Sequence, residues 1–189
     1  VLRALVNAAL ERNLKAPANA APLLGPQLKS GSARLEAVRL IGVWQLNVHT
    51  QAIKGTAAGR TEPITIRVAA AEALGQLRGP QITETLAKLT AFNEPNNLRA
   101  AALGSLARHD VARAARLAAG LVGKVKPDEL GPLMAALLQR KAGADALADE
   151  LGQKKISADT AKLMLRWLNE VGRVEPKLSA ALNKTIGVQ

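Results

Sequence analysis

Two hexapeptides of one pattern, repeated in register, constrain this chain more than any other feature. Glu62-Pro63-Ile64-Thr65-Ile66-Arg67 and Glu94-Pro95-Asn96-Asn97-Leu98-Arg99 both read Glu-Pro-x-x-(Ile/Leu)-Arg. A third proline follows Pro95 at the interval that separates Pro95 from Pro63, in Pro127-Asp128-Glu129-Leu130. Arg34 precedes Arg67 by almost the same interval. After each of the three arginines, alanine follows at the third position (Ala37, Ala70, Ala102). Ile or Leu comes at the seventh (Ile41, Leu74, Leu106) and Gly or Ala at the eighth (Gly42, Gly75, Ala107). A fixed period of this length marks a repeated supersecondary unit, each copy burying its apolar face on the next.

The unit reads as a pair of helices. Apolar residues at i, i+3, i+4 and i+7 make one buried stripe. Proline is accepted in a helix's first turn, where its missing N–H costs nothing, and a glutamate beside it meets the positive end of the helix dipole. The 37 alanines and 30 leucines, with aromatics at only 2%, describe a core in which small side chains let neighbouring helices approach closely. An apolar content of 48% excludes a disordered chain, and the shortage of aromatic and β-branched residues argues against an all-β fold. Inner helices are expected near 33–46, 66–78, 98–108, 128–141 and 157–171. Second helices are expected over 80–92, over 110–122 with Asp110 as N-cap, and over 143–151. Ser157 is a further N-cap, and Glu175-Pro176 opens a last helix. Residues 49–61, where apolar side chains thin out and Gly55 and Gly59 intrude, predict a short irregular helix or a loop. Pro22 and Pro26 weaken 17–29 in the same way.

Paired helices at this period predict an all-α fold, a right-handed superhelical solenoid over 1–189 as one domain. Proline at a helix start, arginine in the first turn and then Ala-x-x-Ala-Leu-Gly resemble HEAT repeats. The opening Val1-Leu2-Arg3-Ala4-Leu5-Val6 reads as mid-helix, so a piece of a longer protein is expected. A second resemblance lies in Gly143-Ala144-Asp145-Ala146-Leu147-Ala148-Asp149-Glu150-Leu151, in 154–163 from Lys154-Lys155-Ile156-Ser157 onward, and in Arg166, Gly172-Arg173 and Leu178. This stretch is similar to the helical segment of the large exported haem-binding, dehydrogenase-like proteins of planctomycete and verrucomicrobial type. There a β-propeller precedes HEAT repeats and a c-type cytochrome domain follows. The resemblance implies an exported or periplasmic location. It also implies a non-catalytic spacer or docking module whose partner is protein, either neighbouring domains or another chain. The family's haem motif, Cys-x-x-Cys-His, has no match in a chain without cysteine, so no cofactor is expected in this segment.

The side chains themselves offer little catalytic chemistry. His49 and His109 are the two histidines and neither precedes a glutamate; no three- or four-ligand metal spacing occurs, and none is predicted. His49 is expected to face solvent, and His109-Asp110 reads as a capped turn. Asp128-Glu129 and Asp149-Glu150 are sequence neighbours and so point to different faces of a helix. No phosphate-binding glycine loop or nucleophile elbow is present, and no catalytic residue is assigned. No apolar run is long enough to span a bilayer. The formal net charge of +11 favours an acidic partner, so a basic solenoid that binds nucleic acid is the alternative function. It rests on charge alone, because Trp44, Phe92 and Trp167 are far apart and the tryptophans fall at core spacings. Arg34, Arg67 and Arg99 form the most regular polar feature. Either they bridge to carboxylates or carbonyls of their own or adjacent repeats, with the upstream Glu62 and Glu94 the obvious candidates, or they line a contact surface. Arg67, Arg99, Arg108 and Arg113 are the candidate partner-binding residues.

Overall fold

Each arginine-headed segment forms a helix. A computed structural model describes residues 2–29 and 31–187. Among them it places twelve α-helices and no strand. In chain order these are α1 (Leu2–Glu11), α2 (Ala20–Leu24), α3 (Arg34–Val43), α4 (Thr50–Ala58), α5 (Ile64–Leu74), α6 (Ile82–Leu89), α7 (Asn96–His109), α8 (Val111–Leu121), α9 (Pro127–Leu138), α10 (Gly143–Gly152), α11 (Ala158–Glu170) and α12 (Pro176–Ile186). Helices start where the capping chemistry predicts. The Asp110 carboxylate accepts the Arg113 amide at 2.9 Å, and the Ser157 hydroxyl accepts the Thr160 amide at 3.1 Å. Pro127 and Pro176 occupy the first helical turn. Pro63 and Pro95 sit one step earlier than expected, as extended N-cap residues with ψ of 136° and 144°.

The chain divides into two compact units, Val1–Leu89 and Thr90–Gln189. In the second unit α7, α9 and α11 pack in one row and α8, α10 and α12 in another, with α7 against α8 and α11 against α12 across the rows. In the first, α3 lies between α1 and α5, and α4 packs on both α5 and α6. The cores are made of leucine and alanine; Leu40, Ile41, Leu74, Leu103, Leu106, Leu133 and Leu137 are fully buried. Each side chain of this kind contributes about 1.5–3 kcal/mol relative to exposure.

Close approach explains the small residues. A Cβ added to Gly42 of α3 would lie 2.8 Å from the Ala73 Cα of α5, so the two backbones meet with no room for a methyl group. Gly131 of α9 is covered by the Trp167 indole of α11, whose Nε1 would stand 2.7 Å from such a Cβ.

Residues 49–61 depart from expectation. Thr50–Ala58 is a regular helix that buries Thr50, Ile53, Lys54, Thr56 and Ala57. Two polar groups on its inward face, those of Thr50 and Lys54, are hydrogen-bonded. The Thr50 hydroxyl hydrogen-bonds to the carbonyls of Asn47 and Arg78, at 2.8 and 3.1 Å. The Lys54 ammonium donates to the side-chain oxygens of Gln51 and Gln81, both at 3.1 Å, and to the Pro80 carbonyl at 3.4 Å. Residues 17–29 hold only the short α2 and a 3-10 turn at Pro26–Leu28. The second helix expected over 80–92 is confined to Ile82–Leu89.

Candidate functional site

The arginines at the helix starts turn inward. Arg34, the first residue of α3, makes a two-pronged ion pair with Glu62, its Nη1 and Nη2 each 2.6 Å from a carboxylate oxygen. Glu62 immediately precedes Pro63, the N-cap of α5. Arg99, in the first turn of α7, reaches Glu129 of α9 at 3.2 Å and the Phe92 carbonyl at 3.2 Å, and lies 5.4 Å from the centre of the Phe92 ring. Glu129 also accepts the Lys126 amide at 3.2 Å, so one carboxylate both caps α9 and receives the arginine of the preceding pair. In both cases the partner comes from the start of the helix two elements on in the chain, α5 for α3 and α9 for α7. Glu62, although it stands just ahead of Arg67 in the chain, serves Arg34 instead, and Arg99 bonds to Glu129 and not to Glu94.

Burial and pairing set the electrostatics. The hydrogen bond from Arg34 is the largest influence on the Glu62 carboxyl and holds it below the usual carboxylate range; burial opposes this and charge attraction adds to it. The same bond lifts the Arg34 guanidinium above its ordinary value. Side-chain exposures of 16% and 24% place this pair between an open surface bridge and a buried one. The Arg99 side chain is only 3% exposed.

The third proline-led segment changes the chemistry. Pro127-x-x-Leu130 is followed by Gly131 where Arg67 and Arg99 stand in the two hexapeptides. The space an arginine would occupy is taken by Trp167 from α11. Here an indole, not an ion pair, joins one helix of the row to the next. The substitution of glycine at the arginine register is visible in the sequence, but its filling from a helix two elements downstream is not.

The four candidate contact residues divide by burial. Arg67 and Arg99 are 5% and 2% exposed, and the Arg67 Nε donates to the Ala57 carbonyl at 3.0 Å. Arg108, in the last turn of α7, is exposed, and Arg113, in the first turn of α8, is half-buried; the Asp110 cap stands between them in the chain. Arg108 and Arg113 are therefore the members of this set that solvent reaches most readily. His109 is exposed in the same turn. His49 is half-buried, its Nε2 2.9 Å from the Ala21 carbonyl, and so ties the start of α4 to α2 instead of facing solvent. Trp44 is half-buried with its indole N–H donating to the Leu14 carbonyl at 2.8 Å. Phe92 is 60% exposed apart from its contact with Arg99.

Among the described residues no group of three or more His, Asp or Glu side chains is placed to hold a metal ion. No described helix is long and apolar enough to cross a membrane. No protein-family model, curated protein or solved structure matches the chain.

Proposed function

We propose that this chain is a helical-repeat module, a right-handed HEAT-like solenoid, that acts as a non-catalytic spacer or docking scaffold for protein. The observation that carries the reading is the Arg34–Glu62 and Arg99–Glu129 series. Regularly spaced arginines are used to tie one helix pair to the next, as repeat proteins require, since each repeat is stabilised mainly by its neighbours. The two helix rows of the second unit and the alanine- and glycine-lined approaches support the same reading. In the resemblance to exported haem-binding, dehydrogenase-like proteins, the module spaces or docks the redox domains of a longer parent. Arg108 and Arg113 are the cations for a protein contact, because Arg67 and Arg99 are committed to the interior.

Small-angle X-ray scattering tests the architecture. A compact globule of this length has a radius of gyration of about 16 Å. A stacked array gives a value well above that, and a measurement at the globule value refutes it. Docking is tested in the parent chain with Arg108→Ala and Arg113→Ala together. Loss of contact with neighbouring domains at unchanged thermal stability supports these residues as the contact, and unchanged docking removes them.

A further inference from the structure

The second unit contains a cleft of about 610 Å³ between α10 and α12, lined by Lys154, Lys155, Lys177 and Lys184 against a single carboxylate, Asp149. Asp149 grips Lys177 with both oxygens, at 2.6 and 2.8 Å, and this contact holds the Lys177 ammonium above its ordinary pKa. Lys154 donates to the neutral Arg116 carbonyl at 3.0 Å, which leaves its charge uncompensated. Lys155 and Lys184 are exposed and have no ion-pair partner among the described residues. The C-terminal turns of α10 and α12 border the cleft through Gly152 and Thr185. Each helix end supplies about half a negative charge. Two such ends offset about one of the three net positive charges and leave an excess of about two.

The geometry points to a binding site for a small, non-aromatic anion carrying two or more adjacent phosphate groups. Volume places the cleft in the range of small-ligand sites, roughly 300–1,000 Å³. Every cation in it is a lysine. Compact ammonium groups on flexible stems bind phosphate oxygens as point charges, with no arginine fork lining the cleft to impose a planar two-pronged geometry. No aromatic side chain lines it either, so a nucleobase finds no stacking surface; Leu151 and Ile156 give an aliphatic floor.

Calorimetric titration of the whole chain tests the site with two probes, linear tripolyphosphate and the ring compound inositol hexakisphosphate, in about 20 mM NaCl, where screening is weak. One-to-one saturable binding is expected for at least one of them. Lys155→Gln with Lys184→Gln weakens that binding about tenfold or more, while Lys15→Gln with Lys29→Gln, exposed lysines of the other unit, changes it less than about twofold. Asp149→Asn, which releases Lys177 from its direct partner and removes the one carboxylate that lines the cleft, tightens it. The preferred probe distinguishes a linear from a ring-borne phosphate source. Absence of saturable binding to either probe overturns the assignment. So does an equal loss in both lysine pairs, which would show only diffuse attraction to a chain of net charge +11.

Discussion

Arg99 offers the sharpest test of the proposed repeat architecture. Replacing it with methionine keeps an unbranched stem in the packing and removes the cation. The side chain is 3% exposed and makes charge-assisted bonds to the Phe92 carbonyl and to Glu129, with the Phe92 ring alongside. Two such bonds are worth about 1.5–3 kcal/mol each, and the ring about 0.5–1 kcal/mol. Part of this is recovered, because the Glu129 side chain is 22% exposed and Phe92 is 60% exposed, so water replaces some of what is lost. The expected cost of Arg99→Met is therefore about 2–3 kcal/mol, read from urea denaturation. Glu129→Gln retains an oxygen for the Lys126 amide, so a double-mutant cycle isolates the ionic part at about 1–2 kcal/mol. Arg166→Met is the control. Its pair with Glu170 lies within one helix at 72% and 56% exposure, and its loss costs at most about 0.5 kcal/mol. If Arg99→Met costs no more than the control, or the cycle shows no coupling to Glu129, the arginine does not hold the repeats together.

Gly42→Val drives a branched side chain into the Ala73 backbone; it is expected to destabilise by about 1–3 kcal/mol or more by thermal melting, and an unchanged melting temperature refutes the close approach. Glu62 is held below its ordinary pKa in the folded state. Its contribution is therefore present above about pH 5 and lost as the pH falls through and below about 4, and Glu62→Gln should flatten that part of the stability–pH curve. The raised Arg34 value works in the opposite sense, lost only at strongly alkaline pH, and adds no slope in the acid range. Asp110→Ala and Ser157→Ala each remove an N-cap and cost about 1 kcal/mol; hydrogen exchange should quicken in the first turns of α8 and α11 respectively.

What the sequence made legible follows from local chemistry. Asp110, Ser157 and Pro176 announce helix starts because a cap acts on backbone groups of the turn it opens. The arginine period marked where α3, α5 and α7 begin, yet not the pairing, because the carboxylate just ahead of Arg67 in the chain belongs to Arg34 in space. α4 reads in the sequence as no more than a short irregular helix or a loop because periodicity counts apolar residues, and this helix buries Thr50 and Lys54, whose partners include Arg78, Pro80 and Gln81 in the turn before α6. The lysine cleft was equally hidden. Its cations are spread over 154–184, with no basic run to draw the eye, and only the packing of α10 on α12 collects them.

The exchange of arginine for glycine at position 131 bears on how the second unit can be dissected. A truncation that removes α9 onward would strip Arg99 of its carboxylate and leave an unpaired cation on the newly opened face of α7. A truncation ahead of Ser157 orphans no interior charge and uncovers a small-residue face at Gly131, formerly roofed by an indole. Trimming after α10 still breaks the exposed Lys177–Asp149 pair, but in the row of α7, α9 and α11 that seam parts a contact made by shape instead of ions.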